Sequence, residues 1–187
     1  MEKKKSRFFS EVFDLAKSAL ISIVVVVLLT QFVIKPIQID GFSMQPTLLD
    51  HQRGFSNILA HAFTTIERFE IVIIYDDQDQ DYFVKRVIGL AGETIEFKND
   101  RLYINGEVVQ QDFLDQDYID SVTEGGHRMF TGDFGPLTIE QGYVFVMGDN
   151  RINSTDSRHR GPYPATNIIS KHVYIIYPFN QIRFIHK

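Results

Sequence analysis

Ser43 sits in the stretch Gly41-Phe42-Ser43-Met44-Gln45-Pro46-Thr47-Leu48. Gly41 permits tight backbone geometry beside it, and Pro46 stops a regular helix or ladder from running through. A serine hydroxyl in such a setting is a candidate nucleophile, although Gly-x-Ser also occurs in ordinary loops. It is a poor nucleophile until a base takes its proton. His51, His61, His127, His159, His172 and His186 are available, and none stands in a recognisable triad context. Lys85 is the other option. In Tyr82-Phe83-Val84-Lys85-Arg86-Val87-Ile88-Gly89, strand alternation puts Phe83, Lys85 and Val87 on one face. Desolvation against Phe and Val lowers a lysine pKa, and a lysine neutral near pH 7 can serve as a general base. The same residue could instead snorkel from a sheet edge.

A third polar group follows the apolar run Val144-Phe145-Val146-Met147: Gly148-Asp149-Asn150-Arg151-Ile152-Asn153-Ser154-Thr155-Asp156-Ser157-Arg158. Asp156 and Arg158 could pair and stiffen this loop, and Ser154 could orient a nearby amine, which is the rigid support a catalytic group needs. The chain has no cysteine, which excludes disulfides, thiolate metal sites and a cysteine nucleophile. Asp77-Gln78-Asp79-Gln80-Asp81 starts like a calcium loop, but Tyr82 replaces the required glycine and Ile88 the bidentate glutamate; it reads as a solvated turn. Asn153-Ser154-Thr155 matches a glycosylation sequon but lies within the polar loop. No metal or cofactor is expected.

The elements that must position these groups begin with an uncharged apolar run from Ser18 to Ile34. As a helix it would be about 26 Å long, just short of the roughly 30 Å hydrocarbon core, and Phe8, Phe9, Val12, Phe13 and Leu15 can extend it. No small-x-small cleavage site follows in Gln31-Phe32-Val33-Ile34-Lys35, and a run apolar on all faces suits lipid better than a soluble core. Lys3, Lys4, Lys5 and Arg7 favour a cytoplasmic N-terminus. The expected layout is a cytoplasmic segment 1–17, a single membrane anchor 18–34 and an extracytoplasmic body 35–187. Lysine and arginine outnumber acids within residues 1–35, whereas the whole chain carries a formal charge of −5. The body is therefore acidic, which argues against nucleic acid as a partner.

Beyond Pro36 the pattern is β-rich. Ile37-Gln38-Ile39 alternates, and residues 71–75, 82–90, 94–97, 101–104, 107–109, 143–147 and 173–177 read as strands. Asn105-Gly106 signals a two-residue hairpin. The acidic, glycine-rich stretch 110–141 reads as loop or inserted lobe, the lobe spanning about 98–141. The fold expected is a mostly β body of antiparallel sheets, built as one domain with a modest insertion.

Taken together, Ser43-Met44-x-Pro46-Thr47-Leu48 after an apolar helix, then Lys85-Arg86-Val87-Ile88-Gly89-Leu90, then Gly148-Asp149-Asn150-Arg151 with Ser154, Asp156, Ser157 and Arg158, resembles type I signal peptidase in its Gram-positive bacterial form. The likeness runs from about residue 18 to 178. It implies a membrane-bound serine endopeptidase that removes signal peptides from exported preproteins, cutting after small residues, with membrane lipid and the export machinery as further partners. By motif position it makes Ser43 the nucleophile and Lys85 the general base. Ser154 would orient the lysine, Asp156 and Arg158 would form a supporting ion pair, and the Ser43 N–H would hold the oxyanion. Some relatives carry a hydroxyl two residues before the nucleophile, where this chain has Gly41. The resemblance puts Ile39, Met44, Leu48, Phe83 and Val84 around the pockets for small substrate side chains. Arg68-Phe69-Glu70 and Ala91 depart from the usual Arg-Gly-Asp and Gly-Leu-Pro-Gly, leaving the local loops open. The competing readings are a repressor-type Ser/Lys peptidase, for which the DNA-binding domain is missing, and a tethered β-domain that binds without cutting.

Overall fold

The computed structural model describes the backbone of residues 2–185 and 187, and the side chains from residue 11 onward except residue 186. The side chains of Lys3, Lys4, Lys5 and Arg7, on which the orientation of the anchor rests, and His186 lie outside the described residues. Helix α1 (Glu2–Phe32) holds an apolar span over Glu11–Phe32 of mean hydropathy 2.4, none of it buried. By length and composition it is able to cross a membrane. It ends two residues before the expected boundary, because Ile34 is already the first residue of strand β1 (Ile34–Gln38), opposite Asn57. Pro36 is the cause: it disfavours helix at the preceding residue, and its missing N–H is harmless on an edge strand, which β1 is.

The body continues through β2 (Arg53–Asn57), α2 (Ile58–Phe63), β3 (Ile71–Asp76) and β4 (Asp81–Gly89). Next come β5 (Thr94–Lys98), β6 (Arg101–Ile104), β7 (Glu107–Val109), α3 (Gln116–Val122) and β8 (Phe134–Thr138). The chain closes with β9 (Tyr143–Met147), α4 (Ser157–Arg160), β10 (Tyr163–Pro164), β11 (Ile168–Tyr177) and β12 (Arg183–Ile185). All pairings are antiparallel. An eight-stranded sheet runs β1-β2-β11-β3-β4-β9-β10 with β12 also on β11, and a four-stranded sheet runs β7-β6-β5-β8.

Strand β3 is apolar without alternation because both its faces are covered. Ile71 and Ile73 join Ile39, Met44, Leu48, Val173 and Ile175 in one core, while Val72 and Ile74 join Val87, Val144, Val146 and Ile168 in another. The four-stranded lobe closes a third core, packing Ile95, Phe97, Leu102 and Ile104 against Ile88, Phe145 and Met147. Asn105 and Gly106 both have positive φ, 51° and 84°, as a two-residue hairpin turn between β6 and β7 requires.

Within the stretch 110–141 the structure has α3, capped by the Asp115 carboxylate accepting from Tyr118 N–H at 2.9 Å, and β8. Strand β2 also went unanticipated, since Arg-Gly-Phe-Ser-Asn is a weak strand sequence by composition. Gly54 explains it: a Cβ there would lie 1.9 Å from the Tyr174 carbonyl oxygen, so only glycine lets β11 approach. The departing segment around Arg68 is held by its own contacts. Arg68 donates to both Glu93 carboxylate oxygens, and Glu70 accepts from the buried Lys171 at 2.9 and 3.0 Å.

Candidate active site

The Ser43 turn is fastened on both sides. Met44 and Leu48 are joined by the Leu48 N–H to Met44 carbonyl bond of 2.9 Å, and both point into the core, 2% and 0% exposed. On the polar side Asn150 takes hold of the turn twice. Its N–H donates to the Ser43 carbonyl at 3.0 Å and its side-chain Nδ2 to the Phe42 carbonyl at 3.1 Å. Gly41, at φ 98°, gives its N–H to the Asp50 carboxylate at 2.8 Å. Ser43 itself is half-buried.

Lys85 lies in β4 opposite Val72 and is 5% exposed, on the face that also buries Val87. Its Nζ donates to Ser154 Oγ at 3.2 Å and lies 5.8 Å from the centre of the Phe83 ring. Burial drives the ammonium down to a pKa of about 8; Asp156 opposes that shift, and Arg158 and Arg160 add to it. Ser154 approaches the Ser43 turn across Gly148. A Cβ on Gly148 would stand 2.3 Å from both Ser154 Oγ and the Ser43 carbonyl oxygen, so the glycine is what allows the two to lie side by side.

Asp156 and Arg158 form a bidentate pair, Nε to Oδ1 and Nη2 to Oδ2, both 2.9 Å. Burial pushes the Asp156 carboxyl up, but Arg158, the Gly148 N–H and the Ser154 hydroxyl outweigh it and hold it below its ordinary value. Asp156 also caps α4 by accepting from the Arg158 N–H.

A cleft of about 310 Å³ opens at Ser43, lined by Ile39, Met44, Ile73, Phe83 and Val84 together with residues 35–38. Four of the five residues expected to line substrate pockets are there. Leu48 does not line this cleft: four residues beyond Met44 in a helical turn, it faces the same way into the core and supports Met44 from beneath.

Sequence reasoning missed several supports. Arg86 is bidentate to Asp149 at 2.8 and 2.6 Å with both side chains fully buried, and Thr47 Oγ1 donates to the same carboxylate at 2.5 Å. This ties β4, the polar loop and the serine turn together. Alternation beside Lys85 was the available signal, since it turns Arg86 inward on the opposite face. The described histidines lie outside the Ser43 cleft. Among the described residues Asp40, Asp50 and His51 bring ligand-type atoms within 4.8 Å of one another, but Asp50 is engaged by Gly41 and by His51 at 3.3 Å.

The family described as "Signal peptidase, peptidase S26" matches residues 12–177. The chain belongs to the signal peptidase family. It is 39% identical over 183 residues to a signal peptidase I of Bacillus amyloliquefaciens, covering 97% of each chain. Signal peptidase I S of Bacillus subtilis (strain 168) is 38% identical over 184 residues, with 98% of this chain and 96% of that one covered. Among solved structures, a signal peptidase I from Enterococcus faecalis is similar with a TM-score of 0.50 and 32% identity, over 58% of this chain and 97% of that one. The signal peptidase likeness thus takes in the serine turn, β4 and the polar loop in one continuous match.

Proposed function

We propose that this chain is a membrane-anchored serine endopeptidase that removes signal peptides from preproteins with a Ser43/Lys85 dyad. The observation that carries the dyad is the buried Lys85, lowered to about 8 and bonded to Ser154 beside the Ser43 turn. Neutral Lys85 takes the Ser43 proton as Oγ attacks the scissile carbonyl. The oxyanion accepts from the Ser43 N–H, which has no protein acceptor among the described residues. The lysine then gives the proton to the leaving amine, and an acyl-enzyme on Ser43 remains. Lys85 next deprotonates the hydrolytic water, which releases the signal peptide with a free carboxylate. Ser154 keeps the lysine aimed, and Asp156 with Arg158 keeps Ser154 in place.

Strand β9 pairs with β4 only from Arg86 onward, so Asp81–Lys85 keeps one edge open along the cleft. An extended substrate can add there as a strand, presenting alternate side chains to Ile39, Met44, Phe83 and Val84. Those walls leave room for small groups. A preprotein with Ala before the cut is expected to be processed, and the same substrate with Phe there is expected to lose cleavage at that bond. Mass spectrometry of the products checks this; undiminished cutting after Phe contradicts the pocket assignment.

The layout that goes with this activity is a cytoplasmic segment 1–17, a membrane anchor 18–34 that takes in the last part of α1, and an extracytoplasmic body from residue 35, within reach of the export machinery. Where α1 ends, the Ile58 N–H of α2 donates to the Val33 carbonyl at 2.9 Å. Beyond it an apolar row crosses β1, β2, β11 and β12 in register: Pro36, Phe55, Tyr174 and Phe184. Phe63, in the α2 helix that starts at this end, is 80% exposed. Tyr174 is of the type enriched at membrane interfaces, and exposed apolar side chains beside it suit contact with a membrane surface. Removing residues 1–34 is expected to slow preprotein cleavage and to make the rate rise with added lipid vesicles. Kinetics equal to those of the full chain, with no lipid response, contradict the anchoring.

A further inference from the structure

We infer that the four-stranded lobe is a positioning element for the dyad, with Gln111 and Thr131 holding the guanidinium groups on which the Ser154–Asp156 loop rests. This extends the peptidase reading and depends on it. Three arginines, Arg86, Arg151 and Arg158, are packed against that loop, where among the described residues only Asp149 and Asp156 are in ion-pair contact with them. Arg86 takes Asp149 and Arg158 takes Asp156, each in bidentate fashion. Arg151, 2% exposed, has no carboxylate in ion-pair contact among the described residues. A buried charge without a counterion needs hydrogen-bond acceptors to persist.

The lobe supplies most of them. Arg151 donates to Gly148 O at 3.1 Å within its own loop, and otherwise to Gln111 Oε1 at 2.7 Å and Thr131 Oγ1 at 3.2 Å. Arg158 Nη1 reaches the Thr131 carbonyl at 3.2 Å while its other nitrogens hold Asp156. The Phe113 ring covers Arg86 at 4.1 Å and sits 5.9 Å from Arg151. Burial lowers Arg151 to about 10; Asp149 and Asp156 oppose that shift, and Arg158 and Arg86 add to it. The chain of contacts therefore runs from Gln111 and Thr131 to Arg151 and Arg158, then through Gly148 and Asp156 to Ser154 and Lys85.

Gln111 and Thr131 also line a cavity of about 610 Å³ between α3 and β6–β7. When either side chain loses its acceptor, water from this cavity can solvate Arg151. The fold then survives while the loop loses its fixed angle, which separates positioning from simple stability.

The test is steady-state cleavage of a preprotein by the full-length chain in detergent, beside thermal unfolding of each variant. Gln111→Leu and Thr131→Val are each expected to lower kcat about tenfold, with KM and the unfolding midpoint near those of the wild type. Gln111→Glu restores the acceptor and is expected to recover most of the lost rate. Folded Leu and Val variants with wild-type kcat, a loss carried by KM alone, or a Glu variant as slow as the Leu variant overturns the inference. Should Gln111→Leu unfold, Thr131→Val, which keeps the backbone acceptor of Arg158, decides by the same criteria. Wild-type cleavage with Ser43→Ala inert in the same assay keeps the two readings apart; an inert wild type would sink the peptidase reading and this inference with it.

Discussion

Ser43→Ala and Lys85→Ala are each expected to reduce preprotein cleavage by on the order of 10⁴-fold or more while leaving the fold in place. The two losses should not add in the double variant. Without the lysine the hydroxyl keeps its proton, and without the hydroxyl the lysine has nothing to activate. Ser43 is half-buried at a cleft, so losing its oxygen leaves no cavity of consequence. Lys85 is 5% exposed, and replacing it removes a desolvated amine whose burial already disfavours its charge. Thermal unfolding near the wild-type midpoint should therefore accompany both losses. Turnover within tenfold of wild type in either variant would contradict the dyad.

Asp149→Ala is expected to act in the opposite way, through stability. It would leave the Arg86 guanidinium 0% exposed, stripped of both bidentate bonds, and the Thr47 hydroxyl without its acceptor. Breaking one side of a buried ion pair costs about 3–5 kcal/mol, a large part of the roughly 5–15 kcal/mol that holds a domain folded. Denaturant unfolding of Asp149→Ala beside Ser43→Ala should show a large drop for the first and little change for the second. Replacing Arg86 and Asp149 together by apolar residues of similar volume should restore much of the loss, since the stranded charge is then gone. A shift of under about 1 kcal/mol in Asp149→Ala would show that water reaches Arg86 after all.

These two outcomes separate what local sequence could convey from what it could not. Ser43 stood out through its neighbours Gly41 and Pro46, and Lys85 through alternation with Phe83 and Val87. The pairing of Asp156 with Arg158 is local, two residues apart, so it too was visible. The Arg86–Asp149–Thr47 knot joins three distant segments, and no periodicity within any one of them specifies the others. Asn150 was missed for the same reason. Its partners Phe42 and Ser43 lie far away in sequence, Phe42 by 108 residues, and only the folded chain brings them together. A motif gives order without direction, and the place of Leu48 four residues beyond Met44 turns it into the core, where it is 0% exposed. The strands with steady β-branched runs, β3, β4 and β9, were evident. Strand β8, broken by Gly135 and Pro136, and β2, whose glycine serves a contact with β11, carried no such pattern.

The central claim is that a neutral, buried Lys85 activates Ser43, and the pH dependence of kcat/KM tests it most directly. Below the lysine pKa the ammonium has no lone pair to accept the serine proton, so the rate must rise with pH through that value and then level off. An unperturbed lysine would place this limb near pH 10.4, and an ordinary histidine near 6.5. Burial, with the Phe83 ring centre 5.8 Å from its Nζ, places Lys85 at about 8. The full-length chain, assayed in detergent on a preprotein, should show a single acidic limb centred near pH 8 that replacing any one histidine leaves in position. A limb near 6.5 that moves with a histidine, or one near the free-lysine value, would contradict the account.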